Sequence, residues 1–223
     1  NAGNLAPSFL EAVVGRYAGT RLGRQELDGH LIEEREDALW TRALLESVRV
    51  PVAPPLARIV VAVDPPASSG RRSDACGIVC AGRAEDGTAY VLDDVTTGGL
   101  KPPQWASRAA ALFHARRADA LVVEVNQGGE MATSVLRQAD PTLPVVPVRA
   151  TRGKFLRAEP VSMLYSRGLV RHVGCFPDLE DEMCDFAAGG LTSGRSPDRL
   201  DSLVWALTHL VIDRRPEPRI RML

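Results

Sequence analysis

The sequence predicts an α/β domain on a mixed five-stranded sheet, three antiparallel strands followed by two parallel ones, flanked by helices. Three observations carry this. RIVVAVDPPASSG at 58–70 is a β-branched run ended by prolines, serines and a glycine, the pattern of a strand buried on both faces. AEDGT at 84–88 separates two further apolar runs, and Asp-Gly supplies the positive φ of a tight hairpin turn. Beyond residue 100, helical and strand patterns alternate without hairpin signals, which requires crossovers and parallel pairing.

The elements follow in order. Residues 8–18 and 36–48 carry apolar residues at helical spacing, separated by a charged, glycine-punctuated stretch and followed by the proline-rich PVAPPLA. Residues 1–57 therefore read as an arm or linker into a main domain at 58–213, with a basic, proline-broken tail at 214–223. Strands are expected at 58–63, 76–82 and 89–93, then a helix in PPQWASRAAALFHARR, a strand at 120–125, a helix in GEMATSVLRQA and a strand at 144–148. A helix at 154–167, the short apolar LVRHV and a helix in PDLEDEMCDFAA come next. The last helix is SPDRLDSLVWALTHLVI, with Ser196 as its expected cap and Pro197 at its first position. There is no internal repeat.

Composition bounds the function. The 223 residues are 45% hydrophobic and 25% charged, enough for one sizeable core. No segment approaches the roughly 18 consecutive apolar residues of a membrane span. The N-terminus lacks a secretory pattern and an initiating Met, so the expectation is a cytoplasmic domain cut from a longer chain. A net charge of −1 leaves any nucleic-acid binding to a local patch. Cys76, Cys80, Cys175 and Cys184 match neither a zinc site nor a disulfide framework and read as small buried thiols. His172 and His209 read as packing or surface residues, and Trp40, Trp105 and Trp205 as core or linker packing.

The chemistry lies in the acids. Asp64 ends the first strand, Glu124 interrupts the apolar ALVVEV, and Asp198 and Asp201 share one face at the start of the last helix. If the first and fourth strands are neighbours, Asp64 and Glu124 project together at one edge of the core, within reach of that helix. Clustered carboxylates repel unless protons or cations compensate them. An all-oxygen set selects hard ions, Mg²⁺ or Mn²⁺. Two such ions about 3.5–4 Å apart can activate water and hold the leaving oxygen of a phosphodiester. Singly, each acid also has a structural reading: a strand-end Asp forms turns and a helix-start Asp favours the dipole. Glu124 resists that reading, because Glu is almost never buried unpaired.

Other candidates surround these. Asp74 reads as an accessory carboxylate or a turn residue. Arg149, Arg152, Lys154 and Arg157 form a run without an acid among them, suited to gripping phosphates or to solvation, and Arg71 and Arg72 follow Asp64 in a basic loop. No G-x-x-x-x-G-K-[ST] phosphate loop is present.

The words VAVDPPASSGRRSDACGIV, LVVEVNQGG, RGKFLRAEPVSMLYSRGLVRHV, LEDEMCDF and SPDRLDSLVWAL, in this order over roughly 58–212, resemble the C-terminal nuclease domain of the large terminase subunit of tailed phages and phage-like gene transfer agents. The leading NLAPSFLEAVVGRYAGTRLGRQELDGHLIEE is similar to the segment that joins the packaging ATPase to that nuclease. The resemblance implies an RNase H-like fold and metal-dependent cutting of concatemeric double-stranded DNA with little sequence preference, using two Mg²⁺ or Mn²⁺ ions. It implies Asp64, Glu124 and an acid of the DRLD turn as ligands. Family members differ between the positions of Asp198 and Asp201, and this sequence has an aspartate at both; Asp201, a full turn into the helix, is the first choice. The implied partners are the ATPase domain of the same protein, a small terminase subunit and the portal protein. A Holliday-junction resolvase or ribonuclease on the same fold would share the acids but not these words, and a non-catalytic docking module would lose a ligand.

Overall fold

The computed structural model describes residues 35–66, 75–125 and 130–213. The helix expected at 8–18, Arg71, Arg72, Asp74 and the tail at 214–223 lie outside the described residues. The elements are α1 (Arg42–Ser47), β1 (Arg49–Val50), β2 (Leu56–Asp64), β3 (Gly77–Ala84), β4 (Ala89–Asp94), α2 (Pro102–Arg116), β5 (Ala120–Glu124), α3 (Glu130–Ala139), β6 (Val145–Val148), α4 (Lys154–Ser166), β7 (Val170–Val173), α5 (Pro177–Asp185) and α6 (Asp198–Leu207), which runs into a π turn at Thr208–Ile212.

One sheet orders its strands β1-β7-β4-β3-β2-β5-β6. The expected meander is present: β3 lies antiparallel between β2 and β4, and Gly87 takes φ +93° in the connecting turn. β5 adds in parallel beside β2, and β6 beside β5. The sheet has seven strands among the described residues rather than five. LVRHV supplies β7, parallel to β4, and β1 pairs in parallel with β7. β1 has only two residues, and VRHV holds two polar residues of four, so neither carries an apolar pattern that separates it from loop.

The β2–β5 register matters for function. Val63 pairs with Val123, so Asp64 and Glu124 end adjacent parallel strands at the same level. Side chains two apart share a face. Asp64 and Glu124 thus follow Val60, Ala62, Ala120 and Val122 on the face covered by α4, α5 and α6. Val61, Val63, Leu121 and Val123 point the other way, onto Trp105, Ala109 and Phe113 of α2 and Leu136 of α3.

Residues before β2 join the first of these layers. Trp40, Leu45 and Val48 are buried in it, and Trp40 meets Tyr165 of α4 edge to face. Their polar neighbours form a second buried cluster. Glu180 of α5 is fully buried and takes ion pairs from Arg42 and Arg49, while Arg42 also pairs with Asp181. His172 of β7, fully buried, donates from Nδ1 to Glu180 at 3.0 Å and shares a hydrogen bond through Nε2 with the Tyr165 hydroxyl at 2.8 Å. Burial pushes Glu180 up, but His172 and Arg49 outweigh it and hold its carboxyl at about 2. Cys76, Cys80 and Cys184 are buried thiols; Cys175 is exposed.

Candidate metal centre

Asp64 is half-buried at the end of β2, whereas Glu124, Asp198 and Asp201 are 5%, 8% and 3% exposed. The helix α6 that carries two of these acids is seated by two local features. Gly77 of β3, the partner of Asp64, lies directly under its first turn: a Cβ there would stand 2.0 Å from the Asp198 carbonyl oxygen and 2.3 Å from Ser202 Oγ. Ser202, next to Asp201, accepts the backbone N–H of Asp64 at 3.1 Å. Only a residue without a side chain permits this approach, and the hydroxyl ties the acidic helix to the acidic strand.

The start of α6 differs from the expected cap. Pro197 occupies the N-cap and offers no side-chain cap, and Ser196 Oγ instead accepts from Lys154 Nζ at 2.8 Å. The first-turn N–H groups of Arg199 and Leu200 donate to Glu182 of α5 at 3.1 and 3.2 Å, and Asp201 N–H reaches the Pro197 carbonyl at 2.8 Å.

The carboxylates meet two cations from α4. Asp201 Oδ1 accepts from Arg157 at 2.8 Å, and Oδ2 forms an ion pair with Lys154 Nζ at 2.5 Å. Arg157 also stands 3.7 Å from Glu124 Oε1. Its guanidinium covers the Trp205 ring at 4.8 Å, and Trp205 Nε1 donates to Glu124 Oε2 at 2.5 Å. Trp205 is therefore a donor to the site as well as core packing.

Burial raises the Asp64 carboxyl well above its ordinary value, and the negative charges of Asp201, Glu124 and Asp198 add to that, with Lys154 pulling the other way. Burial pulls Lys154 down, but Asp201, Asp64 and Asp198 outweigh it and hold its ammonium above the usual value. The four acids thus form one electrostatic unit whose charge is partly met by Lys154 and Arg157.

The donor chemistry fits a hard divalent cation: four carboxylates, three of them buried, with no sulfur or imidazole among them. Among the described residues no three of these groups converge into a finished cation cage, and the α4 cations supply the compensating charge.

Asp64 and Glu124 end adjacent strands, and Asp198 and Asp201 of the first turn of α6 stand close enough for their charges to act on Asp64. Lys154 and Arg157 join them, while Arg149 and Arg152 stand exposed. Glu182, Ser202, Gly77 and the Trp205 donor were not singled out by sequence, because each acts through a neighbour distant along the chain.

Residues 61–210, more than half of the chain, match the family described as terminase RNaseH-like domain. The chain belongs to that family. The terminase domain is also similar to solved structures: the large terminase nuclease of thermophilic phage G20c (13% identity, TM-score 0.58, covering 77% of this chain and 98% of that one), the nuclease domain of large terminase subunit gp2 of bacterial virus Sf6 (14%, 0.56, 76% and 98%) and the HK97 bacteriophage large terminase (13%, 0.57, 92% and 51%). It spans about half the length of the HK97 protein. A comparison with curated proteins finds no match. Likeness at these identities establishes the fold of the terminase domain, an RNase H-like α/β sheet flanked by helices.

Proposed function

We propose that this terminase domain is a divalent-metal-dependent endonuclease that cuts concatemeric double-stranded DNA during packaging into a phage or gene-transfer-agent head. The observation that carries the reading is the meeting of Asp64 and Glu124, at adjacent strand ends, with Asp198 and Asp201 of α6. Two Mg²⁺ or Mn²⁺ ions held by Asp64, Glu124 and Asp201, with Asp198, would activate water and neutralise the phosphodiester, while a rigid sheet edge places the ligands. The G20c nuclease has been solved with bound magnesium, and K428A variants of the Sf6 nuclease domain with manganese and with calcium, which supports the same class of ion here.

The chain's own groups have distinct tasks. Trp205 holds one oxygen of Glu124 and leaves the other for a ligand. Lys154 and Arg157 neutralise the acids and are placed to meet the phosphate charge of the substrate. Arg149 and Arg152, exposed just before α4, grip the DNA backbone without reading sequence. On sequence alone, Arg71 and Arg72, which follow Asp64, are assigned to DNA contact and Asp74 to an accessory carboxylate. The motor would come from an ATPase domain of the full-length protein, with the small terminase subunit and portal as partners in the host cytoplasm. No described helix is long and apolar enough to cross a membrane.

The test is cleavage of supercoiled plasmid with Mg²⁺, Mn²⁺ or EDTA, alongside Asp64→Ala and Glu124→Ala. Metal-dependent nicking and linearisation, abolished in both folded variants, is the expected result. A folded wild type that binds DNA yet stays inert with every metal, alone and within the full-length protein, would leave a docking module in place of an enzyme.

A further inference from the structure

α6 opens without a cap of its own. An α-helix leaves its first N–H groups without intrahelical acceptors, and a Ser, Thr, Asp or Asn at the N-cap is the usual remedy. Here that position is Pro197, which has no hydrogen-bonding side chain, and the hydroxyl of Ser196 is engaged by Lys154. The acceptor comes from another helix: a single oxygen, Glu182 Oε1, takes the N–H groups of both Arg199 and Leu200. Those two residues separate Asp198 from Asp201.

The arrangement carries an electrostatic cost. Burial and the nearby Asp198 and Asp94 raise the Glu182 carboxyl to about 8, against the lowering pull of the Leu200 N–H and Arg199. A capping group drawn from within the first turn's own sequence would avoid inserting a further acid beside Asp198. What the distant carboxyl adds is a fixed relation between two elements. α5 is anchored by Leu179 and Met183 in the core and by the fully buried Glu180 in its cluster of cations. Through Glu182, the height and rotation of the first turn of α6 are referred to that anchored helix.

We infer that Glu182 is a positioning residue for the metal centre, capping from α5 the two N–H groups between Asp198 and Asp201 and thereby setting where those two ligands stand. This rests on reading Asp198 and Asp201 as ligands. Glu182 touches neither substrate nor metal in this account.

The test compares Glu182→Ala with Glu182→Gln, whose amide oxygen can still accept both N–H groups, in the full 223-residue chain. Free Mn²⁺ during titration is read by electron paramagnetic resonance, and amide exchange is read at Arg199 and Leu200. Loss of a group that orients a ligand commonly weakens metal binding about 10–100-fold. Glu182→Ala is expected to show a weakening of that order with faster exchange at both amides, and Glu182→Gln to remain within about threefold of wild type, since it retains the acceptor. Should Glu182→Ala fail to fold, Glu182→Asp, which retracts the carboxyl by one methylene, serves in its place. Wild-type Mn²⁺ affinity in folded Glu182→Ala, or Glu182→Gln as impaired as Glu182→Ala, overturns the inference. A wild type that binds no Mn²⁺ overturns the metal reading itself and the ligand half of the inference with it, and the exchange rates then decide the capping.

Discussion

Gly77→Ala is the sharpest single perturbation of this fold. The added methyl would lie 2.0 Å from the Asp198 carbonyl oxygen, 2.3 Å from Ser202 Oγ and 2.8 Å from the Asp198 carbonyl carbon. Two of these atoms are backbone, so no flexible side-chain tip can swing away. Ordinary contact begins about 1.4 Å farther from the Asp198 oxygen, a separation that α6 can provide only by lifting off β3. Overpacking of this kind costs about 1–3 kcal/mol, and stretching the Ser202 hydrogen bond to Asp64 N–H adds about 0.5–1.5 kcal/mol. A fall of about 5–15 °C in thermal midpoint follows for a domain of this size. The functional loss should be larger, because Asp198 and Asp201 move with the helix and a misplacement of about 1 Å can cost 10²-fold in rate. Calorimetry in EDTA and single-turnover plasmid cleavage with Mn²⁺ measure the two effects separately. A Gly77→Ala protein with wild-type stability and cleavage would refute the close seating of α6 on β3.

Other outcomes follow from the same contacts. Trp205→Phe keeps the packing but removes the donor to Glu124 Oε2, and should weaken Mn²⁺ binding about 10-fold or more in a calorimetric titration. Lys154→Met removes compensating charge from Asp201, so its melting temperature should fall in EDTA and recover more than wild type when Mn²⁺ is added. Arg149→Ala with Arg152→Ala should weaken duplex binding uniformly across sequences and reduce the salt slope by roughly one unit per residue, as measured by fluorescence anisotropy. Glu180 has its carboxyl depressed from 4.5 to about 2, so its contribution is complete above pH 4.5 and lost as pH falls towards 2. Denaturant melts from pH 6 to 2 should show that acid loss in wild type and a shallower one in Glu180→Gln.

What could be read from the sequence was whatever depends on local pattern. The run into Asp64, the hairpin turn at Gly87 and the crossover to ALVVEV together put Asp64 beside Glu124, and a Glu inside an apolar strand marked itself. Contacts between distant segments were not legible in the same way. Ser202 is an ordinary hydroxyl until β2 passes beneath it, and Glu182 is one of several acids in LEDEMCDF until α6 begins without a cap of its own. Lys154 and Arg157 read as a basic surface run because nothing nearby in sequence is acidic; their partners stand 44–47 residues away on α6 and, for Arg157, 33 residues away on β5. β7 escaped because four residues, one of them the buried His172, carry no clear alternation.

The pairing of β1 with β7 bears on how this domain can be exchanged between proteins. A transplant or recombination that began at Arg58 would carry every acid of the centre, yet leave behind Trp40, Leu45, Val48, Arg42 and Arg49. β7 would then present a bare edge, and Glu180 would keep His172 as its remaining partner among the buried groups described. An exposed edge invites pairing with other chains, and a buried carboxylate stripped of its cations is costly. A junction that preserves the centre must therefore lie ahead of Trp40, so the portable unit is larger than the stretch bearing the chemistry.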